Sequence, residues 1–416
     1  MPNFVTVSDA AEKLNVSPDT IRRWSKKGLI KSQRNNFNFR IFDLKEIIRL
    51  NDKLNGSSST SQFKVLKNSK KTKYTVVELF AGAGGTALGF SNAGLQHKIL
   101  VEIDKHAAST LKNNKKQWDV HTGDVADVDF SKITADVVEG GFPCQSFSYA
   151  GKGQGFGDTR GTLFYQFARA VEEIKPKIAV GENVRGLLSH ENGRTLETMV
   201  KKLESIGYKV AYRVLRSQYL DVPQKRERLI IIGIRKDLNL PILFPKEKDY
   251  TISLREALGN VPKSHGQTYP KRKAEIISMV PPGGYWRDLP EDIQKEYMMK
   301  SYYLGGGKTG MARRLSWDEP SLTLTTAPAQ KQTERCHPEE TRPLTVREYA
   351  RIQTFPDNWE FSGSVNSQYK QIGNAVPVNL GFHIGEAIIA MLQNKPDSDK
   401  FLNFQNALTT KQMVLI

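Results

Sequence analysis

Cysteine is nearly missing from this chain. Its 416 residues include two, Cys144 and Cys336. Two thiols far apart in sequence make no disulfide framework, and His337 beside Cys336 is one lone candidate ligand, too little for a zinc site, so no metal site is expected. They read as free thiols in a reducing compartment, available for chemistry. Long apolar runs are missing as well: hydrophobic residues make up 38% of the chain, and none of its runs reaches the ~18 residues of a membrane span. The start, MPNFVTVSDAAEKL, carries acidic residues early and lacks a basic-then-apolar signal order. The expectation is a soluble cytoplasmic protein with no membrane partner. Acidic groups are in deficit, 44 against 61 Lys and Arg, for a net charge of +17. That balance suggests a polyanionic partner, with colloidal stability of a basic enzyme as the plainer reading, and it does not choose DNA over RNA.

What is present divides by composition. Residues 1–55 hold two short helical patterns broken near Asn15–Val16. Ser17 before Pro18 and Asp19 is a good helix start, and Gly28 after Lys26 and Lys27 a good stop. Two helices around a tight turn, the second basic, describe a helix-turn-helix. The stretch after Gly28 resembles the winged helix-turn-helix of the MerR type, with a basic hairpin from Arg34 to Arg40 and a further helix in DLKEIIRL. Thr20, Arg22 and Arg23 then face DNA and Trp24 packs inside. The alternative is a helical module that docks on the rest of the protein. Residues 56–73, rich in Ser, Asn and Lys, read as a flexible linker.

From Tyr74 the pattern changes to short apolar runs rich in β-branched residues: YTVVELF, HKILVEI, ADVVEGGF, IAVGEN and RLIIIGI. Helical stretches such as TLFYQFARAVEEI separate several of them, which predicts an α/β fold with a parallel sheet covered on both faces. The loop Phe80-Ala81-Gly82-Ala83-Gly84-Gly85 follows the first run and opens a helix. Glycines there let the backbone turn sharply and approach a ligand. Glu102 ends the next run, where a carboxylate can accept ribose hydroxyls, and Asp124 follows the third. The pattern suits an adenosine-containing cofactor without separating NAD from S-adenosylmethionine.

ADVVEGG runs directly into Phe142-Pro143-Cys144, which sets a thiol at the carboxyl end of a strand, the ligand edge of such sheets. GFPCQSFS, together with FAGAGG, GENV (181–184), QKRER (224–228), RPLTVREYARIQTFPD (342–357) and QIGNAVP (371–377), resembles the ordered motif set of DNA (cytosine-5) methyltransferases across residues 74 to about 393. The resemblance implies a Rossmann-like, mostly parallel S-adenosylmethionine-dependent methyltransferase sheet with a smaller target-recognition domain. It implies Cys144 as the nucleophile, Glu182 as the proton-holding carboxyl, and Arg228 with Arg226 on the base oxygen. Phe80 through Gly85, Glu102, Ile103, Asp124, Val125, Pro143, Asn374, Ala375 and Val376 would border S-adenosylmethionine. Gln145, Ser148, Lys152 and Arg160, on a glycine-rich segment that reads as a lid, would meet DNA.

The expected organisation is then catalytic residues 74–250, a recognition domain and hinge at 251–364, a returning catalytic segment at 365–395 and an uninformative tail at 396–416. Cys336 is expected to be structural. The reaction would be site-specific methylation of a flipped-out cytosine in double-stranded DNA by a monomer, with a cognate restriction endonuclease acting separately and the enzyme nucleoid-associated. An RNA cytosine-5 methyltransferase and a non-catalytic DNA-binding regulator are the rival readings, and the helix-turn-helix suggests control of a promoter.

Overall fold

The computed structural model describes residues 4–14, 16–26, 30–35, 37–44, 46–47, 64–142 and 163–404. The chain divides into two compact units, Met1–Gln62 and Phe63–Ile416.

In the first unit, strand β1 (Phe4–Thr6) leads into helix α1 (Val7–Lys13). Thr6 and Asp9 cap α1 reciprocally, each side chain accepting the other's backbone N–H. Helix α2 (Pro18–Lys26) starts as expected, with Ser17 Oγ accepting the Thr20 N–H at 3.2 Å. The hairpin of β2 (Gln33–Arg34) and β3 (Arg40–Asp43) sets Arg34 opposite Arg40, and β1 pairs with the other edge of β3. Val5, Ala10, Leu14, Ile21 and Phe42 fill the core, with Trp24 half-buried against it. Strand β1 was not legible, because three residues carry no periodicity. Gly28 lies outside the described residues.

The second unit is built on a seven-stranded sheet. Its strands are β4 (Thr75–Leu79), β5 (Gln96–Glu102), β6 (Val120–Thr122), β7 (Val137–Gly140), β8 (Ile178–Val184), β9 (Tyr208–Arg216) and, after the short β10 (Gln224–Lys225), β11 (Glu227–Arg235). Their order is β6-β5-β4-β7-β8-β11-β9. Every pairing from β6 to β8 is parallel, while β11 runs antiparallel to both neighbours. The sheet is therefore mostly parallel, as expected, with its one reversal at this strand. Only ten residues separate β9 from β11, too few for the helical crossover that parallel neighbours need.

One sheet face carries Val77, Leu79 and Val138 against Phe164, Phe167 and Met199 from the helices Leu163–Ile174 and Arg194–Ser205. The other carries Val76, Val137, Val180 and Ile232 against Leu380, Ile384 and Ile388 of the helix Val378–Leu392. Burial on both faces explains why these strands read as continuous apolar runs. Leu254, Leu258, Leu344, Tyr349 and Phe355 share a core with Ala83 and Leu111, so both ends of the 251–364 segment belong to the cofactor side. A distinct core forms around Ile276, Ile277, Trp286, Met298 and Cys336. Cys336 is fully buried, and burial pushes its thiol up to about 11, as suits a structural cysteine.

Two segments depart from the sequence reading. Residues 64–73, read as linker, lie on the second unit: Leu66 N donates to Asn379 Oδ1 at 2.9 Å, Asn92 Nδ2 to the Leu66 carbonyl at 3.0 Å, and Thr72 N to Gly94 at 2.8 Å. The residues read as tail include β13 (Phe401–Asn403), which pairs antiparallel with β12 (Leu243–Pro245).

Candidate active site

The carboxyl ends of β4, β5 and β6 converge. Beyond β4 the chain turns through Phe80, Gly82 and Gly84 at φ 58°, 55° and 85°, left-handed values that favour glycine. A Cβ on Gly84 would stand 2.6 Å from a Leu111 methyl, and one on Gly85 2.0 Å from the Val376 carbonyl oxygen. The sequence therefore needs bare backbone here so that Asn374–Val376 can lie on the loop. Gly82 is different, since among the described residues nothing stands within 4 Å of the corresponding position, which leaves its backbone open to approach. Glu102, at the end of β5, accepts the N–H groups of Gly82 and Asp104, both at 2.7 Å. Burial raises its carboxyl above the ordinary range although those bonds pull it down. Ile103 is 67% exposed, an uncovered apolar side chain beside that carboxylate. Gly123 N donates to the Glu102 carbonyl at 3.1 Å, which brings Asp124 to the same edge, where it caps Ala126 at 2.9 Å. Val125 is buried beneath.

Charge gathers at the ends of β7, β8 and β11. Arg228 Nε lies 2.6 Å from Glu182 Oε1, both side chains nearly buried. A Cβ on Gly141 would stand 3.1 Å from Glu182 Oε2, so the chain leaving β7 passes directly beside this pair. Asn183 Nδ2 donates to the Phe142 carbonyl at 2.8 Å and fixes the same segment. A cleft of about 360 Å³ opens alongside, lined by Val184, Arg185, Arg216, Lys225, Arg228 and Thr323. Pro143, Cys144, Gln145, Ser148, Lys152 and Arg160 lie outside the described residues.

Arg226 departs from its expected place on the base. Its side chain is buried, with Nη1 donating to the Leu324 carbonyl at 3.1 Å and Nη2 to Gly373 at 2.9 Å. Burial, then repulsion from Arg228, pulls its basicity well below the ordinary range. It ties three chain segments together rather than facing a substrate. Gln224 and Gln353 extend the tie: Gln224 Nε2 donates to Gln353 Oε1 at 2.9 Å, and Gln353 Nε2 donates to Ile372 at 2.7 Å. Sequence reading missed both glutamines and Asn183, although each lies within a recognised motif. In the first unit Thr20 Oγ1 is 3.0 Å from Ser17 Oγ, Arg22 pairs with Asp19 at 2.7 Å, and Arg23 is exposed.

A glycine turn and a ribose-competent carboxylate, beside an ion-paired carboxyl at the next strand ends, define an α/β enzyme with an adenosyl-cofactor edge and a neighbouring substrate edge. Residues 74–390 match the C-5 cytosine-specific DNA methylase family, and the chain belongs to that family. It is a DNA (cytosine-5) methyltransferase and uses S-adenosylmethionine as methyl donor. Residues 6–42 match the MerR family regulatory protein model. The chain is 58% identical over 402 residues to Type II methyltransferase M.Eco47II of Escherichia coli, covering 93% of this chain and 95% of that one. It is 51% identical over 407 residues to Type II methyltransferase M.PspPI of a Psychrobacter strain, covering 95% and 98%. The solved structure of the Entamoeba histolytica methyltransferase EhMeth shares the fold at a TM-score of 0.53 and 16% identity, over 77% of this chain and 99% of that one.

The residues present fit the cofactor. Glu102 offers lone pairs at the end of β5, Ile103 offers an uncovered apolar face for a purine, and Gly82 leaves room for backbone approach.

Proposed function

We propose that this chain is the modification methylase of a type II restriction–modification system, methylating carbon 5 of a cytosine rotated out of duplex DNA. The Glu182–Arg228 pair beside Gly141 and Phe142 carries this reading, because it sets a carboxyl and a guanidinium next to the chain that continues into Cys144. A cytosine is too electron-rich to be attacked easily, so the site has to polarise it. Glu182 holds a proton to ring nitrogen 3 while the Cys144 thiolate adds at carbon 6, which turns carbon 5 into an enamine-like nucleophile. Arg228 orients Glu182 and meets the base oxygen. Glu102, Ile103 and the Phe80–Gly85 turn, with Asn374–Val376 behind it, hold S-adenosylmethionine, which supplies the electrophilic methyl group. Loss of the carbon 5 proton and departure of Cys144 then restore the aromatic ring.

The base has to leave the stack for this chemistry, and the flanking phosphates would meet Arg185, Arg216 and Lys225 along the cleft by displacing their carboxylate partners Glu227, Glu247 and Glu319. The enzyme acts as a monomer in the cytoplasm on nucleoid DNA, a cognate endonuclease acts separately, and the winged unit binds an operator through α2. The test is methyl transfer to unmethylated plasmid, with 5-methylcytosine mapped at single-base resolution for the native chain and Cys144→Ser. Methylation at one short motif, absent in the variant, is the expected result. Transfer to RNA alone, or an active variant, would overturn the reading.

A further inference from the structure

A row of carboxyls climbs one buried face of the sheet toward the reacting edge. Glu78 on β4 and Glu139 on β7 are direct register partners. Glu139 is also paired with Val180 on β8, so Glu182 stands one same-face step nearer the edge. Gly141, the next same-face position after Glu139, is the one whose absent Cβ leaves room for Glu182. Glu78 and Glu139 are 1% and 2% exposed.

Partners along this row are unevenly shared. His97 Nε2 is 2.9 Å from Glu78 Oε2, and Arg228 Nε is 2.6 Å from Glu182 Oε1. Arg226, also near Glu182, is committed to backbone carbonyls. The helix Gly85–Ala93 covering this face has no titratable side chain, and it gives the Ala87 N–H to Glu78. The helix Val378–Leu392 has His383 and Glu386, held by Asp221 and Asn68 respectively. Among the described residues no basic side chain pairs with Glu139. A buried carboxylate without a cation is costly, whereas the same group as a carboxylic acid is not. Burial accordingly pushes Glu139 well above the ordinary carboxyl range, and Glu78 and Glu182 add their repulsion.

We propose that Glu139 is a positioning residue that stores the proton Glu182 needs, the two carboxyls forming a one-proton pair. This rests on the reading of Glu182 as the group that protonates ring nitrogen 3. In the resting enzyme Glu139 is the acid and Glu182 the carboxylate held by Arg228. As the base enters, the O–H bond on Glu139 breaks and one forms on Glu182, which delivers its proton to nitrogen 3. When the adduct collapses that proton returns along the same path, so no further reactant is consumed.

The test uses the full chain as wild type, Glu139→Gln and Glu182→Gln, in single-turnover methylation of unmethylated plasmid across neutral and alkaline pH. Glutamine keeps the shape and neutrality of the acid but cannot give up a proton to Glu182. Glu139→Gln is expected to slow the step about tenfold, with its alkaline limb moved to lower pH and the KM for DNA unchanged. An unchanged rate and pH profile, or a slower rate with an unchanged profile, would overturn the proposal. If Glu182→Gln is slow while Glu139→Gln is normal, the stored proton alone is wrong. If Glu182→Gln keeps the wild-type rate, the Glu182 reading itself falls. Infrared spectroscopy gives a readout without activity: wild type should show the carbonyl band of a buried carboxylic acid that Glu139→Gln lacks. Absence of that band in wild type would also sink the idea.

Discussion

Between β4 and β5 the chain clears side chains out of the way, whereas between β8 and β11 it crowds charged ones together. The cofactor end depends on missing atoms: an added methyl at Gly85 would run into the Val376 carbonyl, and Gly82 is left open. The base end depends on neutralisation, with Glu182 on Arg228 and both Nη atoms of Arg226 held by carbonyls. Shape errors at the first end should therefore damage folding and cofactor binding together. Charge errors at the second should separate stability from rate.

The largest effect should come from Gly85→Ala. Its Cβ would lie 2.0 Å from backbone that cannot step aside, so a loss of about 3 kcal/mol or more is expected, together with weakened cofactor binding. Thermal unfolding and calorimetric titration with S-adenosylmethionine check this, and a stable variant with normal affinity would break the contrast. Arg226→Met comes next, at about 2–3 kcal/mol, because it strands buried carbonyls that a charged donor now satisfies. Arg228→Met leaves the nearly buried Glu182 without its cation, so a loss of about 1–2 kcal/mol is expected while methylation slows at least about a hundredfold. Equal stability losses in the two methionine variants would erase the division of labour between these arginines.

A smaller effect is expected at Asp221, which sits at φ 56° and accepts from His383 at 2.8 Å and from Lys248. Burial alone would raise its carboxyl, but His383, Lys248 and Tyr250 hold it below the ordinary range. A lowered folded value means the stabilisation is complete above the unfolded value near 3.9 and fades as pH falls through the folded one. Asp221→Asn, which tolerates the same backbone angle, should lower the melting temperature at neutral pH. The gap should begin to narrow near pH 4 and close only once the pH is below the lowered folded value. A gap that persists in acid would assign the loss to packing. The smallest change should be Ser17→Ala, about 1 kcal/mol from the α2 cap, read by unfolding of the winged unit with methylation unaffected.

Sequence legibility followed the same division. Apolar runs announced β4, β5, β7, β8 and β11, and glycine spacing announced the cofactor turn, because burial on two faces and bare backbone both leave marks on residue type. The direction of β11 left none: RLIIIGI is equally apolar either way, and only the short path from β9 decides it. Residues 64–73 were misread for a similar reason. Their Asn, Lys and Ser content suggests solvation, but their partners Asn92 and Asn379 are remote in sequence and the bonds run mainly through the backbone. Arg226 and Arg228 look alike in QKRER, although burial sends one to carbonyls and the other to a carboxylate. Glu78 and Glu139 leave no signal of their own, because a lone carboxyl inside an apolar run does not change the strand pattern.

The strap at residues 64–73 also fixes where the enzyme can be cut. A truncation starting at Tyr74 would remove the Lys64 and Leu66 carbonyls from the amides of Asn379 and Asn92 and uncover the apolar patch beneath Val65. The shortest autonomous methyltransferase thus begins at or before Lys64. Chimaeras that exchange the winged module between relatives should be spliced upstream of that residue, leaving the strap with the catalytic partner that shaped it.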